Sequence, residues 1–321
     1  MKHYDVVVVG GATTDVFVDT DVAEIKLNRK GKNEEFIAYP VGSKIEIKKI
    51  LFSTGGGGTN SAAGFSKLGL RTGFIGAIGN DENGSKVLDE LKKRNIDFLG
   101  TISKKHPTGY SVILDSVGHD RTILTFRGAN DHFSYTKNLF EQIKTNWVHL
   151  SSLSGESIES LKKIANYCRK NNIPYSYNIS TYIAQKGIEH VKDILTGCSV
   201  FILNKEEAGY LLNLKDTNEK DMLKSLKELL GLKAVVITDG PRGIFALKDK
   251  YYRIKAHKVN VVEATGAGDS FCAGFVSGLI KKMDFSYALK IGLVNSESVI
   301  QTKGAKNGLL SMDEALKKIK Y

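Results

Sequence analysis

A regular exchange of short apolar runs and helical stripes restricts the fold of this chain more than any other feature. Apolar runs at 4–9, 71–78, 147–150, 175–177, 200–203 and 234–238 read as strands. Helical patterns lie between them. They occupy 60–68 (stopped by Gly69), a face of Val87, Leu88 and Leu91, a stripe of Ile158, Leu161, Ile164 and Cys168, and a helix between 177 and 200. Three helical stretches close the chain, near 267–280, 286–300 and 312–319. A run as apolar as Val6-Val7-Val8-Val9 belongs to a strand buried on both faces. The alternation predicts the α/β class, with a mostly parallel sheet flanked by helices on both faces.

Two stretches break the rhythm. Residues 15–54 and 98–127 carry period-two alternation, seen in Phe36, Ala38, Tyr39, Val41, Ile45, Ile47 and Ile50, and again in Thr122-Ile123-Leu124-Thr125-Phe126. Both leave and rejoin the α/β part beside glycine-rich turns. They are expected to pair as one small antiparallel sheet, a lid over the carboxyl ends of the core strands, where open α/β sheets bind ligands. The predicted organisation is a single domain over 1–321 with this discontinuous lid. Exposed lid edges could also pair between subunits and give a homodimer.

Length and composition narrow the function classes. At 321 residues there is room for one large α/β domain or two modest ones. No apolar run approaches the roughly 18 residues of a membrane span. The first apolar run follows Met1 with no basic region or cleavage site, so no signal peptide is expected. The expected location is the cytoplasm, without a membrane partner. Cys168, Cys198 and Cys272 show neither C-x-x-C nor Cys/His ligand spacing and read as buried thiols. The net charge of +11 comes largely from lysines scattered through helical segments, the pattern of a solvated surface. A nucleic-acid surface would cluster Arg and aromatics in one stretch, so nucleic acid is not an expected partner. Positive potential would also gather anionic substrates.

Chemistry concentrates in a few segments. Glu263-Ala264-Thr265-Gly266-Ala267-Gly268-Asp269-Ser270-Phe271 runs small residues into an acid where a helix begins. Residues without bulk let backbone N–H groups point at an anion, and a helix N-terminus adds partial positive charge. An acid there would repel the anion. It makes sense if the carboxylate works on a neighbouring hydroxyl while the amides hold a phosphate. The plainer alternative is an acid that complements the helix dipole.

Gly55-Gly56-Gly57-Gly58-Thr59-Asn60 is either a hinge or a close backbone approach to a ligand that Asn60 hydrogen-bonds. Asn60 stands where a dinucleotide fingerprint needs its third glycine, and no G-x-x-x-x-G-K-[ST] occurs, which excludes a P-loop. Asp15, after the first strand, is a turn former or the acceptor of two hydroxyls of a vicinal diol. Asn204 and Glu207 fit an N-terminal helix cap, and at the end of a core strand Glu207 could also orient water around Mg²⁺. Residues 238–243 read as a turn leaving a strand. Arg127 is an ordinary strand-end arginine or a contact for a polar or acidic substrate.

Together these residues resemble the ribokinase-like (PfkB) carbohydrate kinase family, over nearly the whole chain and in the family's order. The family's Gly-Gly segment, followed by Asn and two spaced glycines, is met by residues 55–60, Gly69 and Gly79. Its second signature is met by Thr265-Gly266-Ala267-Gly268-Asp269 and Ala273-Gly274. Glu263 stands where the family usually has Asp, and Ala264 where Thr is common. The resemblance implies ATP-dependent phosphorylation of a hydroxymethyl group on a sugar or sugar-containing metabolite. It implies Asp269 as catalytic base, the amides of Gly266, Ala267 and Gly268 as an anion hole, and Asn204 and Glu207 organising Mg²⁺ and phosphates. Thr238, Gly240 and Gly243 would lie against the nucleotide. Asp15, Gly56, Gly57 and Asn60 would hold the substrate hydroxyls, and a monovalent cation such as K⁺ would sit beside Glu263. A nucleoside is the alternative acceptor within the family. A sugar-binding regulator with the same fold is the non-catalytic alternative.

Overall fold

The structure, a computed structural model, describes residues 2–20, 23–29, 32–115, 121–214 and 217–319. Its central sheet has nine strands, in the order Tyr251–Ile254, Ile244–Leu247, Val235–Thr238, Val200–Asn204, Tyr175–Asn178, Val148–Ser151, Val6–Val9, Thr72–Ile75 and Asp97–Phe98. All run in one direction except Ile244–Leu247, which pairs antiparallel with both of its neighbours and makes a hairpin with Tyr251–Ile254. Side chains alternate between the faces of a strand. Val6 and Val8 thus enter one core, shared with the helices Gly57–Lys67, Glu82–Lys93, Ala267–Ile280 and Phe285–Val299. Val7 and Val9 enter the other, with Ser157–Lys170, Lys205–Leu212 and Glu219–Leu230. The sheet is mostly parallel and covered on both faces. Its parallel strands bring Val9, Ser151, Asn178, Asn204 and Thr238 to one rim.

A four-stranded sheet stands apart, in the order Arg121–Phe126, Gly109–Asp115, Thr13–Thr20 and Ile47–Gly55. It is mixed rather than antiparallel, because Gly109–Asp115 runs parallel to Thr13–Thr20. Alternation reports that a segment is a strand but not its direction. Residues 98–108 also stay outside it. Phe98 edges the central sheet, and Thr101–Ser103 pairs with Ala77–Gly79. Ala23–Arg29 and Lys32–Ala38 make a separate antiparallel hairpin. The portions of the two alternating stretches at 21–22, 30–31 and 116–120 lie outside the described residues.

Other differences from the sequence reading are smaller. The run at 71–78 divides at Gly76, where a Cβ would stand 2.5 Å from the Gly10 carbonyl. The first strand divides at Asp5, and Lys2–Tyr4 pairs with Ile143–Thr145 instead. The helix expected between 177 and 200 is three short helical pieces. The 244–254 hairpin carried no expectation at all. Among the described residues, no helix is long and apolar enough to cross a membrane.

Candidate active site

The helix Ala267–Ile280 begins at Gly266, whose φ of 79° lies in the left-handed region that side chains disfavour. Ala305 packs onto it so closely that a Cβ on Gly266 would stand 2.5 Å from the Ala305 Cβ. Ser270 Oγ donates to the Gly266 carbonyl at 2.7 Å. The buried Asn295 side chain donates to the Ser270 carbonyl at 2.7 Å. Phe271 and Phe275 root the helix in the core. Among the described residues, no side chain caps the N-terminus. The Ala267 amide reaches the Ala264 carbonyl only at 3.3 Å, and the space where a Cβ of Gly268 would project is open. An uncapped helix start with room above it is an anion-binding geometry.

The run Gly55 to Gly58 does not precede the next helix; the helix Gly57–Lys67 starts inside it. A side chain at Gly55 would overlap the Asp15 carboxylate. One at Gly57 would come within 2.5 Å of Ser151 Oγ and 3.2 Å of Asp269 Oδ1. The close approach thus brings Asp15, Ser151 and Asp269 around one turn. Asn60, one helical turn along, donates from Nδ2 to Asp269 Oδ2 at 2.9 Å, which joins the two glycine segments. Its Oδ1 is buried without a hydrogen-bond partner. Asp269 Oδ1 likewise has no hydrogen-bond partner among the described residues. Burial raises the Asp269 pKa to about 6, against the Asn60 hydrogen bond and the Lys306 charge, which lower it. Asp15, buried on the small sheet, accepts from Thr13 Oγ1 at 2.8 Å, and burial raises its pKa as well.

At the end of the strand Val200–Asn204, Asn204 and Glu207 form a complete capping box: Glu207 N donates to Asn204 Oδ1 at 2.8 Å and Asn204 N to Glu207 Oε2 at 2.9 Å. Thr181 Oγ1 donates to Glu207 Oε1 at 3.3 Å. Burial pushes the Glu207 carboxyl up to about 7, with Glu206 and Asp269 adding to the rise. Thr238 sits in register beside Asn204. Gly240 opens a short 3-10 turn, in which Arg242 pairs with both oxygens of Asp239 at 2.6 and 2.8 Å. Gly243 is dictated by the hairpin, since a Cβ there would overlap the Ile254 carbonyl.

Two further predicted residues make contacts of their own. Glu263 Oε2 accepts from Gly304 N at 2.9 Å, while among the described residues Glu263 Oε1 and the nearby Thr265 Oγ1 are buried without partners. Arg127 stacks over the Tyr182 ring at 4.4 Å, one residue beyond Thr181. Among the described residues, no three His, Cys, Asp or Glu side chains gather as a metal site. Glu207 is one buried carboxylate with both oxygens engaged, so it suits a divalent ion held mostly by phosphates and water. The unpartnered oxygens at Glu263 and Thr265 suit a cation directly.

Sequence reasoning missed three contributors. Asn130 clamps both the N–H and the carbonyl of Ala12, at 2.8 and 2.7 Å, and so sets the strand that carries Asp15. Ser111 stands in register beside Asp15 on the neighbouring strand and favours its ionised form. Lys306 is buried behind the site. None of the three had a local signal.

Comparison with known proteins agrees with this architecture. Residues 22–312 match the pfkB family carbohydrate kinase. The chain is similar to the 6-phosphofructokinase of Thermoanaerobacterium thermosaccharolyticum, 27% identical across 97% of this chain and 92% of that one. It is similar to the guanosine-inosine kinase of Exiguobacterium acetylicum, 29% identical across 82% of this chain and 88% of that one. Its fold matches that of Arabidopsis thaliana ribokinase complexed with ribose and ATP, with a TM-score of 0.83, 20% identity and full coverage of both chains. With the family matched over most of its length and the fold and rim in place, this chain belongs to the PfkB family of carbohydrate kinases, which are phosphotransferases.

Proposed function

We propose that this enzyme transfers the γ-phosphoryl group of ATP to a primary hydroxyl of a sugar or sugar-containing metabolite, with Asp269 as general base. The observation that carries the reading is the 2.9 Å bond between Asn60 and Asp269, made at an uncapped helix N-terminus. It fixes one oxygen of the carboxylate and leaves the other for the acceptor. Asp269 Oδ1 takes the hydroxyl proton as that oxygen attacks the phosphorus. Amides at 266–268 stabilise charge on the transferring group, and one such donor is typically worth about 3 kcal/mol. Asp15, Gly56, Gly57 and Asn60 hold the acceptor hydroxyls. Arg127 serves as a further contact at the rim. Asn204, Glu207, Thr238, Gly240 and Gly243 line the nucleotide side. Mg²⁺, when bound, neutralises phosphate charge, and Glu207 orients its water. Closure of the small sheet excludes water from the reacting groups.

The test is acceptor-dependent ADP release across pentoses, hexoses, sugar phosphates, sugar acids and nucleosides, with and without K⁺. One acceptor class is expected to drive turnover. ADP release that ignores every acceptor contradicts the reading. The guanosine-inosine kinase relative supports nucleosides as the second acceptor class to examine. The unpartnered Glu263 and Thr265 oxygens support stimulation by K⁺, and equal rates in Na⁺ and K⁺ would remove it.

Two further parts of the reading concern the assembled protein. Exposed Ile47, Ile50, Leu51 and Phe52 on the free edge of the small sheet support a homodimer through it. Sedimentation as a monomer at micromolar concentration would contradict that. Three free, buried cysteines support a reducing compartment, the cytoplasm. Fractionation that finds the protein elsewhere would overturn this placement.

A further inference from the structure

Lys306 is buried, with 6% of its surface exposed. Its ammonium donates to the Thr54 carbonyl at 2.7 Å and to Thr54 Oγ1 at 2.8 Å. An ammonium has three N–H donors. Among the described residues, the third finds no protein partner, and no carboxylate comes within ion-pair distance. Burying such a charge is costly unless its surroundings compensate. Compensation comes at longer range. Glu90 on the helix Glu82–Lys93, Asp15 on the small sheet and Asp269 on the anion-hole helix favour the charged form, while Arg94 opposes it. Burial still lowers the pKa to about 8, which leaves the group charged at neutral pH.

Each end of this residue touches a different half of the site. At its base, the preceding Ala305 is the residue packed onto Gly266 at the start of the anion-hole helix. At its tip, Thr54 is the penultimate residue of Ile47–Gly55, the strand that delivers Gly55, Gly56 and Gly57. That strand is the edge of its sheet, so among the described residues one side of it has no sheet partner to hold it. The ammonium supplies a tie there that the sheet does not.

We propose that Lys306 is a positioning residue: its ammonium fastens the edge strand that delivers the acceptor glycines to the loop that backs the anion hole, and so sets the separation of acceptor and phosphoryl group. The proposal rests on the kinase reading for its consequence. Reacting atoms must be held at near-contact distance, and small displacements cost rate steeply. Losing the tie therefore weakens use of the acceptor and leaves ATP binding alone.

The test compares wild type with Lys306→Met, which keeps most of the length and loses charge, and Lys306→Arg, which restores charge. Amide hydrogen exchange at residues 54–57 is expected to rise about tenfold in Lys306→Met and to return in Lys306→Arg, with residues 6–9 unchanged. Unchanged exchange at 54–57 overturns the tie. In kinetics with D-ribose, D-fructose 6-phosphate and guanosine as acceptor probes, the KM of the accepted probe is expected to rise about tenfold while the KM for ATP holds. A fall in kcat at an unchanged ATP KM agrees with a shifted separation; equal rises in both KM values, or no change in either acceptor KM or kcat, overturn the positioning role. If wild type shows no acceptor-dependent ADP release with any probe, the kinase reading fails, and the exchange result still decides whether the tie exists. Should Lys306→Met fail to fold, Thr54→Val, which removes one of the two bonds, is expected to raise exchange about threefold, and no rise overturns the tie.

Discussion

Two glycine-rich turns meet at the cleft, and they are rich in glycine for different reasons. In the first, protein presses on every position. Side chains at Gly55 and Gly57 would strike Asp15 and Ser151, and at Gly56, with φ of 92°, a Cβ would stand 2.6 Å from the Gly11 carbonyl. In the second, Gly266 is pressed by Ala305, yet Gly268 faces open space. One run is small because the fold packs against it and thereby holds Asp15 and Asn60 in place. The other is small at its tip because room is kept above uncapped amides. Composition alone does not tell a glycine that builds a site from one that leaves space in it.

The comparison breaks most sharply at the carboxylate between the two turns. Asp269→Asn is expected to lower kcat by about 10³-fold with ATP affinity retained. Burial raises the Asp269 pKa to about 6, and a carboxylate proposed as general base must be ionised to accept a proton. The wild-type kcat is therefore expected to rise with pH through about 6 and level off above it, and the variant to lose that limb. A raised carboxyl pKa also means that the ionised form is disfavoured in the fold above about pH 6, so the neutral isostere is expected to raise Tm at pH 7 by about 2 °C. A pH–rate profile and a melting curve check both parts. Near-normal kcat would remove Asp269 from the base role.

The glycines themselves give the next effect. Gly56→Ala is expected to destabilise the fold by about 3 kcal/mol, through a strained φ and a clash with Gly11. Gly268→Ala is expected to leave stability unchanged or improved, because alanine favours a helix, while raising the KM for ATP about tenfold. Denaturant unfolding and ADP-release kinetics on the pair would show the two losses separating. Equal stability losses in both variants would erase the distinction.

A smaller effect separates capping from metal chemistry at Glu207. A glutamine can still accept from the Asn204 amide, so Glu207→Gln is expected to keep the helix Lys205–Leu212 and its Tm. The Mg²⁺ concentration for half-maximal rate is expected to rise about tenfold. An unchanged Mg²⁺ requirement would leave Glu207 as a cap alone.

Much of the fold was legible because buried strands declare themselves as apolar runs and the closing helices by their period. What was not legible depended on partners distant in sequence. Strand direction in the small sheet is one case, since the alternation in 109–115 is the same whichever way its neighbour runs. Gly76, where its strand divides, lies too close to the Gly10 carbonyl for a side chain, which no local pattern reveals. In the site, Asp269 and Asn60 were marked by their glycine contexts, although 209 positions separate them. Asn130 and Lys306 carried no mark. Lys306 is one of 46 basic residues, and only its burial against Thr54 sets it apart.

The central claim is that phosphoryl transfer occurs between the uncapped amides at 266–268 and the Asp269 carboxylate. A crystal structure with ADP, Mg²⁺ and aluminium fluoride tests it most directly, because the fluoride takes the place of the transferring group. The account predicts that group within hydrogen-bond distance of the Gly268 amide, with Asp269 Oδ1 facing it. A fluoride group bound away from this helix start, or an Asp269 side chain turned out of the cleft, would contradict it.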